Sequence, residues 1–168
     1  AYLSEEQVGV TLTGNTATGS SLNGFGLRGT ITGTVTYDAS GDLPFVIEDD
    51  VTVRNGASLT FTPGTVIKGM EWWDELHVHG TLIAQGDATH PVVFTSTADD
   101  AHGGDTNGDG DASAPAPANW GGVHLHNDSS GHVLEYVWFG YGAGQSSANL
   151  NLYEQSQAID HATFTYAE

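Results

Sequence analysis

Apolar and polar positions alternate in short runs along most of the chain. Val8-Gly9-Val10-Thr11-Leu12 and Ile31-Thr32-Gly33-Thr34-Val35-Thr36-Tyr37 are two such runs. Val51-Thr52-Val53, Leu59-Thr60-Phe61, Leu76-His77-Val78, Val123-His124-Leu125 and Leu150-Asn151-Leu152 keep the same two-residue period. Successive side chains of a strand point to opposite faces, so this period predicts half-buried strands, and the Thr, Val and aromatic content agrees. Gly, Asn, Asp and Pro fall between the runs as turn formers. No stretch holds a 3.6-residue apolar period over three turns, so no helix is predicted.

The runs also repeat. ASLTFTPGTVIKG (57–69), DELHVHGTLIAQG (74–86), PVVFTST (91–97), NWGGVHLHND (119–128), VLEYVWFGYG (133–142), ANLNLYEQ (148–155) and AIDHATFTYA (158–167) share one shape. Each is a short strand with two or three inward apolar residues, followed by a polar or glycine turn. One such unit cannot cover its own apolar face, whereas stacked units bury a continuous core, with coils of roughly 20 residues.

From about residue 42 onward the chain resembles right-handed parallel β-helix repeat proteins of bacterial and archaeal cell surfaces. The resemblance rests on VTVRNGASLTFTPGTVIKG, GTLIAQGDATHPVVFTS, NWGGVHLH and LEYVWFGYG, in that order. It implies an all-β fold, a right-handed parallel β-helix or β-solenoid, and a surface location. It implies no activity, because one fold carries many functions. Residues 1–41 fall outside the resemblance and are expected to form an N-terminal β arm or cap. Residues 42–168 are expected to form the helix, with an acidic insertion loop at 98–119. Residues 13–25 are rich in Gly, Ser, Thr and Asn and read as a flexible connection.

Charge narrows the function classes. Among 168 residues, Lys and Arg number 3 and Asp and Glu 21, a net charge of −18. Such a chain cannot neutralise phosphates along a groove, which excludes nucleic acid as a partner, and it is repelled by anionic membrane surfaces. No apolar run has the length of a membrane span. With Cys at 0, there is no disulfide framework, thiol nucleophile or thiolate metal site. The start at Ala1 and the scarcity of basic residues lead us to expect removal of a leader and an extracellular or salt-rich setting.

The long loop holds the sharpest candidate. Asp105, Asn107, Asp109 and Asp111 alternate, with Gly110 between the last two, and Ca²⁺ takes six to eight oxygen ligands. DTNGDGD resembles the first half of EF-hand and dockerin calcium loops. It departs from them at the twelfth loop position, which is Ala116 instead of a bidentate Glu, and Pro115 and Pro117 forbid a following helix. The missing ligands are expected from Asp99, Asp100, a carbonyl or water. A loop with this many carboxylates needs a counter-charge, and Ca²⁺ is the expected cofactor.

His77 and His79 flank Val78, and His124 and His126 flank Leu125. With Val78 and Leu125 inward, all four imidazoles face outward. If their strands are neighbours, they form either a transition-metal patch or a hydrated ladder that charges below about pH 6.5. Trp72 and Trp73, beside Asp74 and Glu75, read as an interface or as a glycan-stacking surface; if a strand continues there, at most one of them is buried.

Catalysis is not expected. Lyases of this fold need Arg or Lys to neutralise a uronate and take its proton. The available bases, Arg28, Arg54 and Lys68, are scattered in sequence. The expected function is an extracellular structural subunit that polymerises head to tail with itself. Its self-assembly residues would be Val8, Val10 and Leu12 on the arm and Phe164 and Tyr166 at the other end. The alternative is a calcium-dependent carbohydrate-binding or adhesin module of a larger surface protein, with a polysaccharide as partner.

Overall fold

A computed structural model describes residues 2–3, 10–38, 43–146, 148–153 and 159–165. Val8 and Tyr166 lie outside the described residues. Among these residues there is no helix, and every strand pairing is parallel. The chain winds as a right-handed parallel β-helix.

Three faces make up each full coil. The first carries β3 (Phe25–Ile31), β5 (Phe45–Val53), β7 (Val66–Gly69), β10 (Val92–Ser96), β13 (Val137–Gly140) and β16 (Thr163–Thr165). The long strands β3 and β5 continue onto the second face, where β8 (Glu75–Val78), β11 (Gly122–Leu125) and β14 (Leu150–Leu152) extend the ladder. The third face runs β4 (Thr34–Asp38), β6 (Ser58–Phe61), β9 (Thr81–Gln85), β12 (Val133–Glu135) and β15 (Ile159–Asp160). Two short strands close the N-terminal edge: β1 (Tyr2–Leu3) on β3 and β2 (Val10–Thr11) on β4.

Two-residue alternation becomes columns of like residues along the axis. Phe25, Phe45, Ile67, Phe94, Phe139 and Phe164 are successive register partners on the first face. Ile31, Val53, Val78, Leu125 and Leu152 line the second. Tyr37, Phe61, Ala84, Leu134 and Ile159 line the third. Aromatic rings meet within and between columns: Phe94 and Phe139 stack at 5.1 Å and 7°, and Phe139 and Phe164 at 5.2 Å and 8°. One corner is built on left-handed backbone at Tyr136 (φ 49°) and, one coil on, His161 (φ 51°), whose rings stack at 4.3 Å. Non-glycine residues rarely adopt this conformation, and stacking offsets its cost.

The solenoid starts earlier than residue 42. β3 and β4 pair in parallel with β5 and β6, so residues 25–38 already form a coil. The N-terminal arm is not free-standing either: β1 and β2 lie on the chain's own first coil. The 13–25 connection is tied down as well. Asn23 donates from its backbone N to Thr106 O (2.7 Å) and from Nδ2 to Asp105 O (2.9 Å). These bonds anchor the start of the solenoid to the acidic loop.

Candidate functional site

The acidic loop is held at its base by Lys68, which the sequence reading weighed only as one of three scattered bases. Lys68 sits on β7 and is fully buried; its Nζ donates to Asp99 O and Gly104 O, each at 2.8 Å. Burial pulls its pKa down to about 8, against the opposing pull of Asp99, Asp100 and Asp105. One positive charge is thus placed at the loop base by this ammonium.

Asp99 stands apart from the other expected ligands. It is buried; its Oδ2 accepts from Thr95 Oγ1 and pairs with His102 Nδ1, both at 2.7 Å, and its Oδ1 accepts from Ala101 N. Burial works to raise its pKa, but these bonds leave it below the ordinary value. Its oxygens are committed to shaping the turn. Asp100, Asp105 and Asp109 do converge, with carboxylate oxygens within 4.8 Å of one another. Asp100 Oδ1 is buried without a hydrogen-bond partner. Burial and the Asp105 charge raise its pKa. Asp105 also accepts from the backbone N of Asp109 and of Gly110. Asn107 turns its amide toward Asp109 Oδ2 and Ser113 Oγ. Asp111 is exposed and lies outside the three-carboxylate group.

The four histidines are brought together. His77 on β8 is the register partner of His124 on β11, with Val78 and Leu125 both fully buried beneath. His79 and His126 stack at 4.1 Å and 11°, and Tyr153 stacks on His126 at 5.2 Å. His79 Nδ1 meets Asp128 Oδ1 at 2.8 Å. Not all four are outward in the exposed sense: His124 is 4% exposed, covered by its neighbours.

Glu75, one residue before the alternating run, completes the cluster and was missed. Its Oε2 lies 3.0 Å from His77 Nε2 and its Oε1 3.1 Å from His124 Nε2. The second contact is off the hydrogen-bonding direction, so His124 Nε2 is buried without a hydrogen bond. His124 Nδ1 meets Tyr153 Oη at 3.1 Å, and His77 Nδ1 meets His126 Nε2 at 3.1 Å. Burial, then the His77 and His126 charges, push His124 down to about 4 against the Gly121 carbonyl. Burial raises Glu75 and also lowers His126. Gly121 makes the site possible: a Cβ there would sit 2.3 Å from Glu75 Cγ.

Trp72 and Trp73 lie in a turn, where no strand continues, and both are exposed, at 51% and 45%. Their rings are nearly perpendicular, 82° apart. Of the expected assembly residues, Leu12 packs against the core and Phe164 is exposed. Val10 pairs with Tyr37 through the backbone.

Coils, columns and ladders define a parallel β-helix domain. The family model described as "Pectate-lyase like beta helix domain" matches residues 29–153, and the chain belongs to that family, whose fold includes enzymes. No curated protein and no solved structure matches the chain.

Proposed function

We propose that the chain is an extracellular structural subunit that assembles with itself, head to tail, into a calcium-stabilised surface filament. One observation carries this reading. Leu152, Ile159 and Phe164 are each exposed, and each ends one of the three internal columns. Among the described residues, β14, β15 and β16 have no strand on their outer edge. Covering the exposed part of each side chain stabilises by about 1 kcal/mol. Backbone pairing along an open edge adds direction and register. The N-terminal strands suit the complementary role: the parallel pairs that β1 and β2 make with their own coil are the pairs an exchanged arm would make on a neighbour.

Calcium fits the Asp100, Asp105 and Asp109 group as an oxygen-only site for a hard cation. A non-catalytic role is supported by the bases. Lys68 is buried under the loop, while Arg28 is exposed in the middle of β3 and Arg54 is exposed just past the end of β5. The test is electron microscopy and sedimentation of the purified chain with and without Ca²⁺. Long assemblies that F164D shortens would support the reading; monodisperse monomers at high salt and calcium would overturn it.

A second reading, a calcium-dependent glycan-binding or adhesin module, is favoured by the exposed Trp72–Trp73 pair. It requires monomers retained on a polysaccharide column, release by chelator, and loss of retention in W72A and W73A.

A further inference from the structure

We propose that Glu75, His77 and His124 form a binding site for a single divalent transition-metal ion of the Zn²⁺ type, separate from the acidic loop. The three side chains come from neighbouring rungs of the second face, β8 and β11, so rigid sheet holds them. Their ligand atoms all lie within 4.8 Å of one another. The carboxylate reaches the two Nε2 atoms at 3.0 and 3.1 Å. Zinc bonds nitrogen at about 2.0–2.1 Å, and tetrahedral angles then space ligand atoms by roughly 3.3 Å, so only small shifts are needed.

A second observation points the same way. His124 is 96% buried, taken as 100 less its 4% exposure, and its Nε2 faces this cluster without a hydrogen bond. A buried polar atom left unpaired is costly. A metal ion takes up that lone pair. The other ring nitrogens are already engaged as outer supports. His77 Nδ1 meets His126 Nε2 and His124 Nδ1 meets Tyr153 Oη, so protons at both Nδ1 positions leave both Nε2 atoms free to ligate. Such partners fix ring orientation at metal sites. The net charge of −18 and Asp50 Oδ2, 4.0 Å from His77 Nε2, favour a cation. Two imidazoles and one carboxylate select zinc-type ions over Ca²⁺, which prefers oxygen. The fourth position is left for water.

The site does not depend on how the chain assembles, so its test is independent of the filament. The chain is dialysed against chelator and titrated with Zn²⁺ alone, in the presence of millimolar Ca²⁺, by calorimetry. One ion per chain is expected, with visible absorption of four-coordinate Co²⁺ on substitution. E75Q and H77Q should weaken binding at least about 100-fold while keeping the circular dichroism of the fold. H79A and H90A should retain it. Absence of Zn²⁺ binding by the folded chain would overturn the proposal. So would undiminished binding by E75Q and H77Q, or loss confined to H79A.

Discussion

The ammonium of Lys68 lies 2.8 Å from the main-chain oxygen of Asp99, beneath a loop whose formally charged side chains are all carboxylates. An equal bond reaches Gly104 O, so one buried side chain clamps both strands of the loop base. Replacing it with methionine keeps the stem but strands two carbonyls. K68M should lose about 2 kcal/mol of stability. Urea unfolding measures the loss, and faster amide exchange across 99–106 would place it. The pH dependence has a definite sign. Burial lowers Lys68 from 10.5 to about 8, so between those values the unfolded chain binds more protons than the folded one. Its contribution therefore improves as pH rises through this window, and the gap between wild type and K68M should widen from pH 8 to pH 10.

Asp74 behaves in the opposite sense. It is fully buried, with Oδ2 accepting from Glu71 N and Oδ1 unpartnered. Burial first, then the Glu71, Asp49 and Asp50 charges, raise it from 3.8 to about 6, against the Glu71 hydrogen bond. A raised acid favours folding below its unfolded value and loses that contribution as pH rises through the folded one. D74N should therefore stabilise the chain above pH 6 and flatten the pH dependence between 4 and 6. Thermal melts at several pH values read both. A destabilised D74N at pH 7.5 would contradict this account.

His132 closes the turn below the imidazole face. Its Nδ1 accepts from Leu82 N at 2.9 Å, which places the proton on Nε2, 2.9 Å from Ser129 Oγ. Burial lowers its pKa, so the neutral form is favoured in the fold. Its contribution is complete above the unfolded value near 6.5 and declines as pH falls from there toward the lower folded value. H132A strands a buried Leu82 N–H and should cost about 2 kcal/mol at pH 7.5. The cost should shrink at pH 5, as chemical denaturation at the two pH values would reveal.

Gly69 is required by a close approach. A Cβ there would lie 2.4 Å from Trp120 Cβ and 2.6 Å from Cγ. Trp120 cannot retreat, since it is fully buried and its Nε1 donates to Gly140 O at 2.9 Å. G69A should cost about 1–3 kcal/mol by overpacking. Because backbone and side chain meet at one point, G69A and a Trp120 truncation should be non-additive in a double-mutant cycle. Strict additivity would show the clash relieved elsewhere.

The coil architecture was legible because its signal is local. Alternation at Leu76-His77-Val78 and Val123-His124-Leu125 says which side chains face inward, whatever lies next to them. The coil strand at Phe25–Ile31 was not legible because it lacks clean alternation and contains Gly26 and Gly29, though it pairs with β5 on both sides of a register shift at Arg28. The loop was legible as acidic, but its clamp was not: a lone lysine in VIKG gives no sign of being buried. Asp99 and Asp100 read alike as neighbours, yet one points into the turn and the other toward Asp105 and Asp109.

What the sequence by itself determined is the class of fold and the facing of residues in the alternating strands, because period and turn chemistry act over a few neighbouring positions. Only the tertiary structure decided who meets whom across coils. The register that sets Leu76 on Val123 seats His77 beside His124 and brings Glu75 between their rings; the coil that lays Asp99 and Gly104 over β7 turns Lys68 into a buried clamp. The first meeting spans the 98–119 insertion and the second joins β7 to its start, and register of this kind is set by the packing of whole coils, which no local pattern encodes.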